Sequence, residues 1–189
     1  MIALRLYLLA GLIAHKLVWE VLKRRQPGGA ATPAARSAFA RLAKGVKTLI
    51  LAGLVAQTVL PDVLPISHSP NAVRAIGVLV FTLGLAVAVV GRVQLGGNWS
   101  DIETAQILRA QRVVSTGIYA YIRHPIYSGD LLLLTGFELA LNSWCVLGVG
   151  LIVPFVVQRA VREERMLAGA LPGYDAYRAR TKRFVPYVV

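Results

Sequence analysis

The nine residues Tyr121-Ile122-Arg123-His124-Pro125-Ile126-Tyr127-Ser128-Gly129 crowd a guanidinium, an imidazole and two phenols onto the edge of an apolar stretch. Some forty residues on, Glu163 and Glu164 stand among Arg159, Arg162 and Arg165. Arg123 and His124 can donate to an anion, and the pair of glutamates can accept from a cation. Pro125 suits the first turn of a helix, whose free amides and positive dipole end also favour an anion. Gly129, one turn in, leaves backbone open to close approach. Brought together, these groups make a cup for a zwitterion. Left apart, they are headgroup anchors and a solvated helix face.

Whether they meet depends on the elements that carry them. The chain has 189 residues, 56% hydrophobic and 16% charged, and its mean hydropathy is positive. That balance is too apolar for an ordinary soluble domain of this size. Five apolar stretches stand out, at about 2 to 22, 45 to 60, 72 to 91, 126 to 141 and 143 to 160. A spanning helix needs roughly 20 residues, so the second and fourth are marginal. The expectation is an all-α integral membrane bundle of about five transmembrane helices.

The net charge of +12 raises nucleic acid as a partner, but its distribution speaks for topology. Seven Lys and Arg lie in residues 23 to 47, four in 92 to 125 and seven after residue 158, so eighteen of twenty-one fall on one side. The segments 61 to 71 and Asn142-Ser143 have none. By the positive-inside rule the N-terminus is outside and the tail cytoplasmic, in an inner membrane. No nucleic acid is implied. His15, Lys16 and Glu20 stand where a signal peptide would need small residues, so the first stretch reads as a retained helix, with Lys16, Glu20 and Lys23 or Arg24 on one face at i, i+4 and able to pair.

Cys145 is the single cysteine, and His15, His68 and His124 share no ligand spacing, so no metal centre is expected. Residues 26 to 38 form a Pro, Gly and Ala rich linker. Gly84 and Ala88 are a small-xxx-small pair suited to helix contact. Asp130 and Glu138 are ionisable groups inside the fourth stretch, where such groups face a partner or cavity; Asp130, near the motif, is a candidate to touch substrate.

Stretches four and five are separated only by Asn142-Ser143 and therefore predict an antiparallel hairpin. His124 lies eighteen residues before the bend and Glu163 about twenty after it, which makes each arm roughly 27 to 30 Å. The two polar clusters should return to one level, beside a cytoplasmic pocket.

The run RVVSTGIYAYIRHPIYSG, the hairpin, and then REERMLAGALPGYDAYRARTKRFVP resemble the C-terminal half of the isoprenylcysteine carboxyl methyltransferase family and its phospholipid methyltransferase relatives. Val113, Val114, Gly117, Tyr119, Arg123 to Pro125, Tyr127 and Gly129 match the family pattern, as do Glu163, Glu164, Tyr174, Tyr177, Arg183 and Pro186. GGNWS at 96 to 100 resembles a segment of bacterial members. The resemblance covers about residues 92 to 189; residues 1 to 91 match only in character, as three transmembrane helices of the same single membrane domain.

The resemblance implies S-adenosylmethionine as cofactor and a lipophilic or lipid acceptor. It assigns cofactor binding to Gln111, Val113, Val114, Gly117, Tyr119, His124, Pro125, Tyr127, Gly129, Glu163 and Glu164. Family members often carry His where Gln111 stands; Gln donates a hydrogen bond but takes no positive charge. Methyl transfer is an in-line displacement that rewards positioning and dryness. A carboxylate acceptor, as on an isoprenylcysteine, needs no base, only a cation to orient it; Arg123 is the candidate clamp, with Glu163 as its catalytic companion. An amine acceptor on a phospholipid would need His124 or a glutamate to take a proton. Membrane sterol reductases, which bind a nicotinamide cofactor on a related C-terminal architecture, are a rival reading, and a non-catalytic membrane protein is another.

Overall fold

A computed structural model gives the fold and describes residues 1–25, 38–60, 62–98 and 111–188. Most of the linker at 26 to 38 and the middle of the connector, including the end of GGNWS, lie outside these. Among the described residues six α-helices follow in order: α1 (Ile2–Arg24), α2 (Ala38–Val59), α3 (Asn71–Leu95), α4 (Pro125–Ala140), α5 (Val146–Ala170) and α6 (Tyr174–Arg180). Short 3-10 turns occupy Gly96–Asn98 and Gly117–Ala120, and no strand occurs among the described residues.

Helices occupy all five apolar stretches. Two of them, Ile2–Arg24 and the helical run Asn71–Asn98, are long and apolar enough by themselves to cross a membrane, and Thr48–Val59 is a shorter apolar segment. The other two fall short for different reasons: α4 has only 16 residues, and α5 holds Pro154 and carries the charged RxxREER run at 159 to 165 in its second half. Leu79, Leu83, Leu147, Leu151 and Phe155 are each more than half exposed. Such side chains suit a hydrocarbon surround, in which backbone polar groups are satisfied inside helices. The sixth helix, α6, is in the polar tail, where the apolarity pattern has nothing to show.

The bundle is organised around the pairing of α3 with α4. Gly77, Gly84 and Gly91 recur every seven residues on α3, and Gly129 and Gly136 do so on α4. A Cβ at Gly77 would collide with the Ala140 backbone, one at Gly84 with Leu133, one at Gly136 with Phe81 and one at Gly129 with Ala88. These contacts run antiparallel in constant register, so the two backbones touch along their length. Small residues permit that approach, and van der Waals contact there replaces the hydrophobic drive that lipid removes. The Gly84-Ala88 pair expected from the sequence is the middle of this seam.

Beside the seam, Phe81 and Phe137 lie 6.3 Å apart between ring centres, with Leu8, Leu12, Leu54, Leu133 and Leu141 packed round them. Gly11 of α1 makes room for the Phe81 ring. Leu8, Gly11, Leu12, His15 and Trp19 follow helical spacing, so one face of α1 meets the bundle.

The α4–α5 turn is where the sequence placed it. Asn142 adopts a left-handed φ of 58°, a conformation asparagine tolerates better than most residues. Its side chain accepts from Ser67 N at 3.1 Å and donates to Ser67 O at 2.9 Å. Trp144 N donates to Leu64 O at 2.9 Å. Asp62 accepts from both Arg74 at 2.6 Å and Arg5 at 3.4 Å. The start of α1, the segment before α3 and the hairpin turn therefore share one end of the bundle. The motif residues occupy the other.

Candidate functional site

Pro125 opens α4 at its first turn, with His124 as the cap residue. The tail returns to this point: Arg123 N donates to Lys182 O at 2.8 Å, His124 N to Arg183 O at 3.0 Å, and Lys182 N to Tyr121 O at 3.0 Å. Ser128 Oγ adds a bond to Phe184 O at 2.8 Å. The chain after α6 is thus stitched to the RHP segment.

The two clusters meet as the hairpin arms require. Glu164, 2% exposed, accepts at Oε1 from Arg123 Nε at 2.9 Å, His124 Nε2 at 3.1 Å and Arg183 Nε at 3.0 Å, and at Oε2 from Arg183 Nη2 at 2.9 Å. Burial alone would raise the Glu164 pKa, but the hydrogen bonds from His124, Arg183 and Arg123 outweigh it and hold the carboxyl well below its ordinary range. Four donors exhaust the ordinary accepting capacity of a carboxylate. Glu164 is therefore a structural node joining α4, α5 and the tail.

Arg123 is equally committed. Besides Glu164, its Nη1 donates to Arg178 O at 3.1 Å and to Thr181 O, and its side chain is only 9% exposed. Its fork grips protein backbone, which differs from the substrate clamp expected of it.

Glu163 lies about 100° further round the helix and faces different company. Its Oε2 accepts from Tyr127 OH at 2.9 Å, and Arg159 Nε donates to the same phenol at 3.3 Å. Oε1 of Glu163 accepts no hydrogen bond from the described residues. The Tyr127 ring stacks on His124 at 5.3 Å and 13°, and Phe184 lies 5.8 Å from His124. Arg159, read from sequence as part of a solvated face, is thereby drawn into the cluster.

The remaining candidate residues support this arrangement from the α3 side. Pro125 packs against Gly91, and the backbone that lies against Gly129 is that of Ala88. Tyr119 is buried and donates to Gly91 O at 3.2 Å. Burial raises its phenol pKa well above the ordinary value. Tyr177, pushed up to about 12 chiefly by burial, donates to Tyr119 O at 2.9 Å. Gly117 has φ 60° and passes over the Gln94 amide, whose oxygen accepts from Ile118 N at 2.8 Å. Gln111 Nε2 donates to Asn98 O at 3.3 Å, while Val113 and Val114 are half-buried beyond it. No hydrogen bond among the described residues joins Gln111, Val113 or Val114 to the Glu163 cluster.

A sulfonium donor with ammonium, carboxylate and adenine parts needs an acceptor, a cation and an aromatic face. Glu163 Oε1, Arg159 and the stacked Tyr127 and His124 supply these chemistries side by side, so the residues present fit such a group.

Curated proteins are similar to the chain over about half its length. The chain is 31% identical over 109 residues to the cobalt-zinc-cadmium resistance protein CzcN of Cupriavidus metallidurans, covering 55% of this chain and 46% of that protein. It is 30% identical over 99 residues to the protein-S-isoprenylcysteine O-methyltransferase of Schizosaccharomyces pombe, covering 51% of this chain and 42% of that protein. The chain thus spans under half the length of either. Its fold is similar to that of the eukaryotic intramembrane Ras methyltransferase ICMT, with a TM-score of 0.60 at 20% identity over 91% of this chain and 61% of that one. With its apolar helices and that fold, the chain is an integral membrane protein. Residues 72–171, more than half of the sequence and inclusive of both motif clusters, match the phospholipid methyltransferase family, and the chain belongs to it.

Proposed function

We propose that this chain is an S-adenosylmethionine-dependent methyltransferase that works at the membrane interface on a lipophilic acceptor. The observation that carries the reading is the convergence of Glu163, Tyr127, His124 and Arg159 beside the Glu164 node, at the end of the bundle where the hairpin arms and the tail return together. Within residues 92–189, the methyltransferase-like region, Glu163 accepts from the donor's ammonium or ribose hydroxyls. Tyr127 and His124 offer their rings to the adenine or sulfonium, and Arg159 takes the carboxylate. Arg123 and Glu164 position these groups by pinning the tail. The bound donor supplies an electrophilic methyl group; the protein orients it and keeps water away. Residues 1–91 give three membrane helices that flank the acceptor's lipid tail. Positive-inside charge supports a cytoplasmic site in the inner membrane with the N-terminus outside.

Two acceptors suit this site. An isoprenylcysteine-like carboxylate is the first, supported by the named activity of the yeast relative and by a nearby guanidinium, Arg159, able to orient an anion. An amine on a phospholipid head group is the second. It is favoured by the commitment of Arg123, the expected carboxylate clamp, to Glu164 and the tail.

The test uses the purified chain in lipid nanodiscs. Calorimetry should detect S-adenosylmethionine binding and none of NADPH, and label from the donor should enter a lipophilic product when membrane lipid extract is added. Alkali-labile label identifies a carboxyl ester, and alkali-stable label an amine. Binding of NADPH without S-adenosylmethionine would overturn the methyltransferase reading in favour of a reductase.

A further inference from the structure

One polar pair inside the bundle has no part in the cluster just described. His15 Nε2 of α1 lies 2.9 Å from Asp130 Oδ1 of α4. The His15 ring stacks on Trp19 with centroids 4.0 Å apart and planes at 22°. The side chains are 25% and 41% exposed, so the pair, which joins α1 to α4, can be reached from outside the bundle. An ionisable pair within an apolar span is costly and marks a pathway or partner.

Its position points the same way. Asp130 follows Tyr127 by three residues, so it is that residue's neighbour on the helix surface, one step of roughly 4.5 Å deeper along the axis. Tyr127 is the phenol held by Glu163 and Arg159. The pair therefore stands on the membrane side of the proposed donor site, where the head of a lipid-borne acceptor would lie. With Nε2–H given to Asp130, His15 keeps Nδ1 as a lone-pair acceptor, and neither Nδ1 nor Asp130 Oδ2 has a hydrogen-bond partner among the described residues. The other imidazole near the site, His124, donates to buried Glu164 and is itself 6% exposed. It is badly placed to exchange protons.

We propose that His15 is a catalytic base for methyl transfer to a protonated nucleophile, an amine, with Asp130 holding its tautomer and binding the incoming ammonium. The ammonium gives one N–H proton to His15 Nδ1; the freed nitrogen lone pair forms the new N–CH3 bond as the S–CH3 bond breaks. That bonding pair stays on sulfur, which becomes a neutral thioether, and His15 releases its proton to water. A carboxylate acceptor would make such a base superfluous, so this inference rests on the methyltransferase reading and selects between its two acceptors.

The experiment compares the wild-type chain with His15→Ala and Asp130→Asn in nanodiscs, using labelled S-adenosylmethionine and either phosphatidylethanolamine or a prenylated cysteine with a free carboxylate. Donor binding by calorimetry should be the same in all three. Transfer to phosphatidylethanolamine should fall about 10² to 10⁴-fold in kcat in His15→Ala, with KM nearly unchanged, and added imidazole should restore part of it. If His15→Ala does not fold, Asp130→Asn, which still accepts the His15 hydrogen bond but carries no charge, should show the loss. Wild-type transfer to the carboxylate alone, or a His15→Ala rate within twofold of wild type, would overturn the assignment. So would a loss that imidazole does not relieve, which would make the pair a helix clamp. Failure of the wild type to bind the donor would instead refute the methyltransferase reading itself.

Discussion

Replacing Glu164 by glutamine keeps the size of the side chain and removes its charge, leaving two guanidinium groups and the His124 imidazole facing a neutral amide. Arg123 and His124 are 9% and 5% exposed at the side chain, so neither can turn to water without undoing the junction. Breaking a buried pair by removing one partner costs about 3 to 5 kcal/mol. For a domain of this size that lowers the thermal midpoint by roughly 6 to 20 °C. Thermal unfolding in detergent, followed by circular dichroism, reads the effect. A pH series gives the sign: the folded pKa of Glu164 lies below the ordinary 4.5, so the unfolded chain takes up the proton first as pH falls. Stability from this carboxylate is then present above about pH 4.5 and is lost progressively below it. In Glu164→Gln that acid limb should shrink. A midpoint within about 2 °C of wild type, with donor binding abolished, would refute the reasoning, because it would mean that Glu164 faces the donor rather than the tail.

Glu163→Gln should do the reverse: stability changes by less than about 1 kcal/mol, while donor affinity measured by calorimetry falls roughly 10 to 150-fold through loss of a charge-assisted hydrogen bond. Gly84→Val should force α3 and α4 apart and cost more than the ~1 to 3 kcal/mol usual for overpacking, because the obstruction is the Leu133 backbone. Gly148→Ala, with nothing within 4 Å of the added Cβ, should leave the unfolding midpoint unchanged or higher. Asn142→Ala should lose about 1 to 3 kcal/mol, since Ser67 N and O lose their side-chain partner and the left-handed turn becomes strained; unfolding in detergent reads this too.

Much of the frame was legible in the chain. The five apolar stretches became helices because apolar length and hydropathy are local properties. The meeting of Arg123-His124 with Glu163-Glu164 followed from two arms of similar length on either side of Asn142-Ser143, which is arithmetic on helix rise. The glycines at 77, 84, 91, 129 and 136 carry a signal wider than the Gly84-Ala88 pair and Gly129 alone: their spacing of seven marks one face on each helix. Arg24 does pair with Glu20, at 2.8 Å, as i, i+4 spacing allows.

What spacing could not decide was rotation and partnership. Glu163 and Glu164 are equivalent letters in the sequence, yet a turn of about 100° about α5 buries one under four donors and leaves the other an open oxygen. Arg123 looked like a substrate clamp until the tail supplied the carbonyls of Arg178 and Thr181. His15 and Asp130, 115 residues apart, meet only because the α3–α4 seam fixes the face that α4 turns to α1. Composition and periodicity fix which segments are helical and where they can end; the azimuth of each helix, and with it the partner of each charge, is set by backbone contact between segments distant in sequence.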